Sequence, residues 1–251
     1  TKAKIYILSI FIFTIILSLV VGKAVTNSIL KFIITTILLI IPISEFVNQT
    51  IQYILGKIIK PKIIPKMDFY DGIEAKNATF VVIPTIIKTK EKVQELFRKM
   101  ETFYLANKSD NLYFAVLGDC SEGNKQEEEF DKEVIDEGIK QVEKLNEKYG
   151  KQGFPIFHFI YRERQYNNSE EKFLGWERKR GLLTQFNEYI LKHEKNKFKI
   201  NTINQDELPK IKYVITLDSD TDLVLNTAFE LIGAMAHILN RPEVKNGIVV
   251  K

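Results

Sequence analysis

Two long apolar runs stand at the start of the chain, before any regular alternation of hydrophobic and polar positions. The first extends from Ile5 to Val21 without a charged residue, and the second extends from Ile29 to Ile43. A helix of this length approaches the thickness of the hydrocarbon core of a bilayer, about 30 Å. No small-residue cleavage site follows the first run, which disfavours a secretory signal peptide. The pattern predicts a hairpin of two transmembrane helices in residues 1–48.

From Ala78 onward, short apolar runs alternate with longer amphipathic stretches. The runs typical of buried strands are 79–83, which is expected to end at Pro84, then 112–117, 156–161, 213–217 and the start of a fifth at 247–250. Helical spacing of apolar residues predicts helices over 91–106, 125–149, 176–193 and 226–239. This alternation predicts an α/β domain with a mostly parallel sheet and flanking helices over residues 78–251. Because the chain stops as the fifth strand begins, we expect the domain to be truncated at its C-terminus.

Residues 49–77 join these two regions and mix isoleucine with lysine. Such a mixture is typical of a basic segment lying at a membrane interface, although a simple basic linker fits equally well. Pro61 and Pro65 are expected to end any helix that enters this segment.

The charge of the chain is unevenly distributed. Residues 1–66 contain eight lysines and one acidic residue, Glu45, whereas the rest of the chain is mildly acidic. A mildly acidic domain argues against nucleic acid as a partner. The four lysines in 57–66 outnumber Lys23 between the two apolar runs, so the positive-inside rule predicts a multi-pass protein of the cytoplasmic membrane with its globular domain in the cytoplasm. The single cysteine, Cys120, fits a reducing compartment.

Acidic residues follow two of the predicted strands directly. Asp119 follows the second strand, and Asp218 and Asp220 follow the fourth. In parallel sheets, ligands bind at the carboxyl ends of the strands, and paired carboxylates are hard ligands suited to Mg²⁺ or Mn²⁺. The alternative is that Thr221 or Asp222 caps the helix beginning near Asn226. Because the two acids directly follow an apolar strand, their position favours a metal site. The oxygens of a diphosphate would complete the coordination of the metal.

A basic block opens the third predicted helix of the domain. Arg178, Lys179 and Arg180 stand together between Gly175 and Gly181. Cations at a helix N-terminus oppose the helix dipole, so an anion such as a diphosphate would explain them, whereas the alternative is a solvated basic face. Trp176, the only tryptophan, is suited either to stacking on a sugar or to packing in the core.

The three histidines give no comparable signal. His158 lies inside an apolar strand, His193 at a helix end and His237 on the apolar side of the last helix, and such histidines are more often structural than catalytic. The sequence motifs of serine hydrolases, P-loop NTPases and Rossmann dehydrogenases do not occur in the sequence.

The order of the motifs FVVIPT, AVLGD, WERKRG and YVITLDSDT resembles that of GT-A glycosyltransferases. The resemblance is most specific to cyclic β-1,2-glucan synthases, which have segments similar to Pro61–Ile73, Gly175–Asn187, Thr216–Thr221 and Leu239–Pro242. It covers the chain from about residue 61 to the end. The preceding membrane hairpin is also similar, because members of this family embed their transferase among transmembrane helices.

The resemblance implies an inverting transfer of glucose from UDP-glucose to the 2-hydroxyl of a growing glucan acceptor, beside a lipid bilayer. It implies that Asp119 contacts the uridine, that Lys179 contacts the diphosphate, and that Asp218 and Asp220 hold Mg²⁺ or Mn²⁺, with Asp218 also near the ribose. The complete set of residues implied for substrate binding is Thr85, Asp119, Trp176, Arg178, Lys179 and Asp218.

The catalytic base of such a reaction is expected to lie beyond Lys251, so we expect the chain alone to bind UDP-glucose weakly and to transfer no glucose. Three other functions remain open. They are a membrane β-glycan synthase using a different sugar nucleotide, a non-catalytic module that binds nucleotide sugars, and a membrane-anchored nucleotidyltransferase.

Overall fold

The computed structural model describes residues 2–69, 71–150, 154–192 and 198–250. The chain divides into two compact units, Thr1–Ile63 and Ile64–Lys251. The predicted helix end at His193 and the predicted domain end at Lys251 lie outside the described residues.

Both apolar runs form helices, α1 (Lys2–Val25) and α2 (Ile29–Ile58). Each helix is long and apolar enough to cross a membrane. The structure extends α2 past the predicted second run and past residue 48. The reason is that apolar side chains continue at helical spacing after Pro42, and that the next proline, Pro61, lies beyond the end of the helix.

Small residues line the face of α1 that packs on α2. Thr14 and Ser18 are buried, and Gly22 follows at the same spacing of four residues. A Cβ atom on Gly22 would collide with the hydroxyl of Thr36 in α2. Small residues at this spacing let the backbones of membrane helices approach closely. At the other end of the pair, Tyr6 Oη donates to Asn48 Oδ1 at 2.8 Å.

The second unit is built on a five-stranded sheet. Its strands, with those of two small hairpins, are β1 (Thr79–Ile86), β2 (Leu112–Asp119), β3 (Phe157–Arg162), β4 (Gln165–Asn167), β5 (Lys172–Leu174), β6 (Phe198–Asn201), β7 (Tyr213–Thr216), β8 (Val244–Lys245) and β9 (Ile248–Val249). The order in the large sheet is β6-β3-β2-β1-β7. Its strands are parallel except β6, which pairs antiparallel to β3.

Helices cover both faces of this sheet. They are α3 (Lys90–Ala106), α4 (Glu129–Tyr149), α5 (Arg178–Lys192) and α6 (Thr227–Ala236). Alternate residues of β1 point to opposite faces, so that Val81 joins a core formed with α3, α4 and α6, whereas Val82 joins a core formed with α5. The prediction of an α/β fold with a mostly parallel sheet, flanking helices and two apolar helices before it is confirmed.

Two predictions about the strands are wrong. β1 does not end at Pro84 but continues to Ile86. It tolerates the proline because its pairing with β7 stops at Val82, so that beyond this point β1 pairs only with β2. The fifth strand of the sheet is β6 at the edge, and the predicted strand over 247–250 instead forms the hairpin β8–β9. Asn246 and Gly247 both have positive φ, 51° and 76°, as a two-residue hairpin turn requires.

Several helix boundaries also differ from the prediction. α4 begins at Glu129 rather than near Lys125, because the side chain of Glu128 accepts from the backbone of Asn124 and holds the preceding residues in a turn. α5 begins at Arg178 rather than at Trp176, and α6 ends at Ala236, after which a short 3-10 turn spans Ile238–Asn240.

The buried His158 predicts a pH dependence of stability. Its side chain is fully buried in β3, and burial lowers its pKa to about 4. The unfolded chain accepts a proton near pH 6.5, whereas the folded chain accepts it only near pH 4. The stabilisation is therefore complete above pH 6.5 and is lost as the pH falls toward 4, in total roughly 3 kcal/mol.

We expect His158→Gln, which cannot titrate, to reduce this dependence. Urea unfolding of both proteins at several pH values between 7 and 4.5 measures the difference. An equal loss of unfolding free energy in the two proteins would contradict the assignment to His158.

Candidate functional site

The carboxyl ends of the parallel strands lie at one edge of the sheet, and the acidic residues singled out in the sequence lie there. β1 and β2 remain paired to their ends, with Ile86 opposite Asp119. Thr85, one residue earlier in β1, is half-buried. Asp218 follows the end of β7, which pairs with the other side of β1. The structure thus brings Thr85, Asp119 and Asp218 to the same edge.

Asp119 is buried and paired with an arginine. Its Oδ1 accepts from Arg162 Nε at 2.9 Å, and its Oδ2 accepts from Arg162 Nη2 at 2.7 Å. The two side chains are 3% and 1% exposed. Burial raises the pKa of the Asp119 carboxyl, and the guanidinium opposes this effect. Both carboxylate oxygens are therefore used inside the protein, and the contact of Asp119 with a uridine stays a prediction.

Two glycines flank the turn that leads into α5, and both are needed for space. A Cβ atom on Gly175 would collide with Arg162 Nη2 and Asp119 Oδ1. A Cβ atom on Gly181 would collide with the backbone oxygen of Trp176. The glycines thus allow the basic block between them to lie directly over the buried ion pair.

Each of the three cations in this block contacts a different acid. Lys179 Nζ donates to Asp218 Oδ1 across the site. Arg178 pairs with Glu122, which follows β2, and Arg180 pairs with Glu177 beside it in the chain; the basic side chains are exposed. The contact of Lys179 with Asp218 joins two residues that the sequence predicted for one site, although 39 positions separate them.

The loop that carries Asp218 and Asp220 forms a turn. The backbone N–H of Thr221 donates to the carbonyl of Asp218 at 3.0 Å. Lys99 of α3 holds this loop, because its Nζ donates to the carbonyl of Ser219 at 2.9 Å and pairs with Asp222 Oδ1 at 2.9 Å. Lys99 was not identified from the sequence, because nothing in the sequence distinguishes it from the other lysines on helices.

The alternative role of the acidic loop as a helix cap is wrong. The N-cap of α6 is Asn226, and α6 begins at Thr227. Thr221 and Asp222 lie before the cap, and Asp222 pairs with Lys99 instead. Capping therefore does not account for the acids.

Two carboxylates, Asp218 and Asp220, are exposed in this turn, and Asp218 accepts from Lys179. In the described part of the chain, no group of three or more acidic, histidine or cysteine side chains is arranged to hold a metal ion. A divalent cation here would need further oxygen ligands, and the oxygens of a diphosphate fit this need. The donor set is thus compatible with Mg²⁺ or Mn²⁺ only together with a ligand.

The structure excludes one of the two roles considered for Trp176, and stacking on a sugar stays a prediction. Its side chain is 48% exposed, so it does not pack in the core. It lies between Gly175 and the start of α5, beside the basic block. An exposed aromatic side chain at this position is available to stack on a ligand.

A second buried arginine lies beside the site and was missed in the sequence. Arg164 pairs with Asp131 at the start of α4, and Tyr161 Oη donates to the other oxygen of Asp131 at 2.8 Å. Cys120, next to Asp119, is buried, and burial raises its pKa to about 12. The thiol therefore stays protonated at neutral pH. Both arginines were missed because they follow the apolar stretch FHFIY at the end of a strand. Charged residues at such a position are ordinarily exposed to solvent.

The comparisons with known proteins agree with the motifs. No protein-family profile matches the chain. Over 213 residues the sequence is 33% identical to the protein named cyclic beta-(1,2)-glucan synthase NdvB of Rhizobium meliloti (strain 1021). The match covers 84% of this chain, but the chain spans only 7% of the length of that relative. The relation inferred from the motifs is confirmed for this protein: the chain is related to part of a cyclic β-(1,2)-glucan synthase.

Proposed function

We propose that the chain is part of a membrane-bound glycosyltransferase of GT-A type that transfers glucose from UDP-glucose to a growing β-1,2-glucan. The observation that carries this proposal is the contact between Lys179 and Asp218. It places a cation suited to a diphosphate beside a carboxylate suited to a metal, at the edge of a parallel sheet where ligands bind.

The described residues have distinct roles in this proposal. Lys179 and Arg178 contact the diphosphate, and their present partners, Asp218 and Glu122, are exchanged for it. Asp218 and Asp220 hold Mg²⁺ or Mn²⁺. Thr85 and Asp119 lie on the nucleoside side, with Asp119 fixed by Arg162, and Trp176 stacks on a sugar.

These residues act on the departing nucleotide. In an inverting displacement, the acceptor hydroxyl attacks the sugar as the bond to the diphosphate breaks, and negative charge grows on UDP. Lys179 and Arg178 stabilise that charge, and such electrostatic stabilisation is usually the largest catalytic contribution. A bound divalent cation supplies Lewis-acid stabilisation of the same charge. No described residue is assigned as the base for the acceptor.

The relative supports the choice of donor and acceptor class, since its name describes a synthase of cyclic β-(1,2)-glucan. A synthase that joins sugars needs an activated sugar donor and a glucan acceptor. The basic block and the acidic turn are the parts of this chain that suit a sugar nucleotide.

The first test removes the metal ligand. We expect Asp220→Ala to abolish Mn²⁺-dependent binding of UDP while leaving the fold intact, because the side chain is exposed in a turn and contributes little to the core. Calorimetric titration of Mn²⁺ in the presence of UDP measures the loss. Asp206→Ala is the control, since Asp206 is also an exposed aspartate but lies before β7, at the opposite end of that strand from Asp218.

Equal Mn²⁺ affinity of wild type and Asp220→Ala would contradict the metal site. The same calorimetry with UDP-glucose, UDP-galactose and GDP-mannose distinguishes the donor. A preference for another sugar nucleotide would replace UDP-glucose and point to a different β-glycan synthase.

The proposal also includes the membrane. The two apolar helices cross the cytoplasmic membrane, and the second unit faces the cytoplasm, because four lysines lie at or after the end of α2, whereas two, Lys23 and Lys31, lie near the turn between the helices. The four are Lys57 in the last turn of α2 and Lys60, Lys62 and Lys66 after it. Ile63 and Ile64 in this basic segment are 88% and 64% exposed, which suits the membrane interface.

We expect a protease added outside right-side-out vesicles to leave the second unit intact. Inside-out vesicles are the control, and there the unit is digested. Digestion from the outside would contradict both the orientation and a cytosolic sugar nucleotide as donor.

A further inference from the structure

The turn before α5 has an unusual backbone. Glu177 and Arg178 both have positive φ, 47° and 49°, and neither is glycine. Side chains other than glycine rarely adopt this region, so two in succession need to be held by their surroundings. Residues of this kind persist where neighbouring structure fixes them, and the buried side chain of Arg162 contacts the turn on both sides.

Arg162 donates to the backbone on both sides of Glu177. Its Nη1 donates to the carbonyl of Trp176 at 2.7 Å, and its Nη2 donates to the carbonyl of Arg178 at 2.9 Å. Its Nε and Nη2 also form the bidentate pair with Asp119. One buried group therefore connects the end of β2, the end of β3 and the turn before α5.

We propose that Arg162 is a positioning residue that fixes the turn Gly175–Arg178 and thereby directs Lys179 into the site. Its part in donor binding rests on the proposed function, whereas its hold on the turn does not. Arg162 touches no ligand in this proposal and acts through the backbone.

The fork of a guanidinium is required for this role. Four donor contacts at fixed angles are made at once, two to a carboxylate and two to carbonyls. A lysine at this position keeps the charge but offers a single ammonium, which cannot reach both sides of the turn. Gly175 leaves the space in which the guanidinium lies against the chain.

Arg164 provides a matched control. It lies two residues further on, its side chain is equally buried, and it also pairs with an aspartate, Asp131. Its Nε donates to the carbonyl of Ser121 at 2.7 Å rather than to the turn before α5. Arg164→Lys thus disturbs a comparable buried ion pair without removing a contact to the turn.

The first measurement needs no ligand. Trp176 is the only tryptophan and lies in the turn, so its fluorescence reports on the turn alone. In the full chain in detergent, we expect Arg162→Lys to increase the acrylamide quenching constant of Trp176 about twofold and to lower its anisotropy, whereas Arg164→Lys leaves both near wild type. Unchanged quenching in a folded Arg162→Lys, or equal changes in both variants, would overturn the proposal.

If Arg162→Lys does not fold, amide hydrogen exchange on the wild-type chain tests whether the turn is fixed. The N–H of Arg178 donates to Gly175 O at 3.1 Å, and that of Gly181 donates to Glu177 O at 3.2 Å. A fixed turn predicts that these amides exchange as slowly as those of β3. Exchange at the rate of an exposed loop would overturn the proposal.

The functional part is tested by calorimetry with UDP and Mn²⁺. We expect Arg162→Lys to weaken UDP binding about tenfold more than Arg164→Lys does, at comparable unfolding free energies. If Arg162→Lys loosens the turn but leaves UDP affinity unchanged, the proposal that Arg162 positions Lys179 is overturned. Absence of UDP binding in the wild type would instead refute the proposed function, and the fluorescence result would still decide whether Arg162 holds the turn.

Discussion

Gly175→Ala is expected to weaken UDP binding at least tenfold and to destabilise the second unit. The added methyl group would occupy the space of Arg162 Nη2 and Asp119 Oδ1, so either the ion pair or the turn before α5 moves. Overpacking of a buried site typically costs about 1–3 kcal/mol. The displaced turn also moves Lys179 away from Asp218. Urea unfolding and UDP calorimetry measure the two effects.

A second glycine serves as the control for this substitution. Gly56 lies near the end of α2, and a Cβ atom there meets nothing within 4 Å. Gly56→Ala is therefore expected to leave UDP affinity unchanged, and alanine is the better helix former. Gly175→Ala with wild-type affinity and stability would show that the turn absorbs a side chain without consequence.

Lys179→Ala is expected to reduce affinity for UDP about 10- to 100-fold and to leave affinity for uridine nearly unchanged. Contacts of a cation with phosphate are among the stronger hydrogen bonds, and hydrogen bonds to charged groups contribute about 1.5–3 kcal/mol. Uridine has no phosphate, so the ratio of the two losses locates the lysine. Calorimetry with both ligands provides that ratio.

Arg180 is the matched control for Lys179. It is the next cation in the same helical turn, but it pairs with Glu177 beside it and is 79% exposed. We expect Arg180→Ala to change UDP affinity less than threefold, since exposed ion pairs contribute little. Two results would contradict the role of Lys179. One is an equal loss of affinity for UDP and for uridine in Lys179→Ala, and the other is an equal loss of UDP affinity in Lys179→Ala and Arg180→Ala. Either result would indicate that the basic block is only a solvated surface.

The sequence predicted best those elements in which hydrophobic residues form a continuous run or recur at regular spacing. The strands β1, β2 and β3 appear as apolar runs because both of their faces are covered, and the edge strand β7 does so because its side chains are partly buried on both faces. β6 was missed because it has only four residues, in which Phe198 and Ile200 alternate with polar neighbours. The turn at Asn246 and Gly247 did carry a signal, since Asn-Gly between apolar residues favours a hairpin over a strand of the main sheet.

Among the charged residues of the candidate site, Asp119, Asp218 and Lys179 could be selected from the sequence, whereas the buried Arg162 could not. Asp218 and Lys179 stood out because each lies beside an element boundary, but their contact is seen only in the folded chain. Arg162 did not stand out, because a charge at a strand end ordinarily faces water. Its burial depends on Asp119, 43 positions away, and on the absence of a side chain at Gly175, which only the folded chain brings together.

The ion pair between Lys179 and Asp218 has a consequence for how ligands enter the proposed site. A metal ion arriving alone must displace the lysine from Asp218, and a diphosphate arriving alone must displace the aspartate from Lys179. When both arrive, one internal contact is replaced by two new ones. We therefore expect the two ligands to bind cooperatively, with each strengthening the binding of the other by the same factor through linkage. Because an exposed ion pair is worth up to about 1 kcal/mol, its release contributes at most about fivefold to that factor.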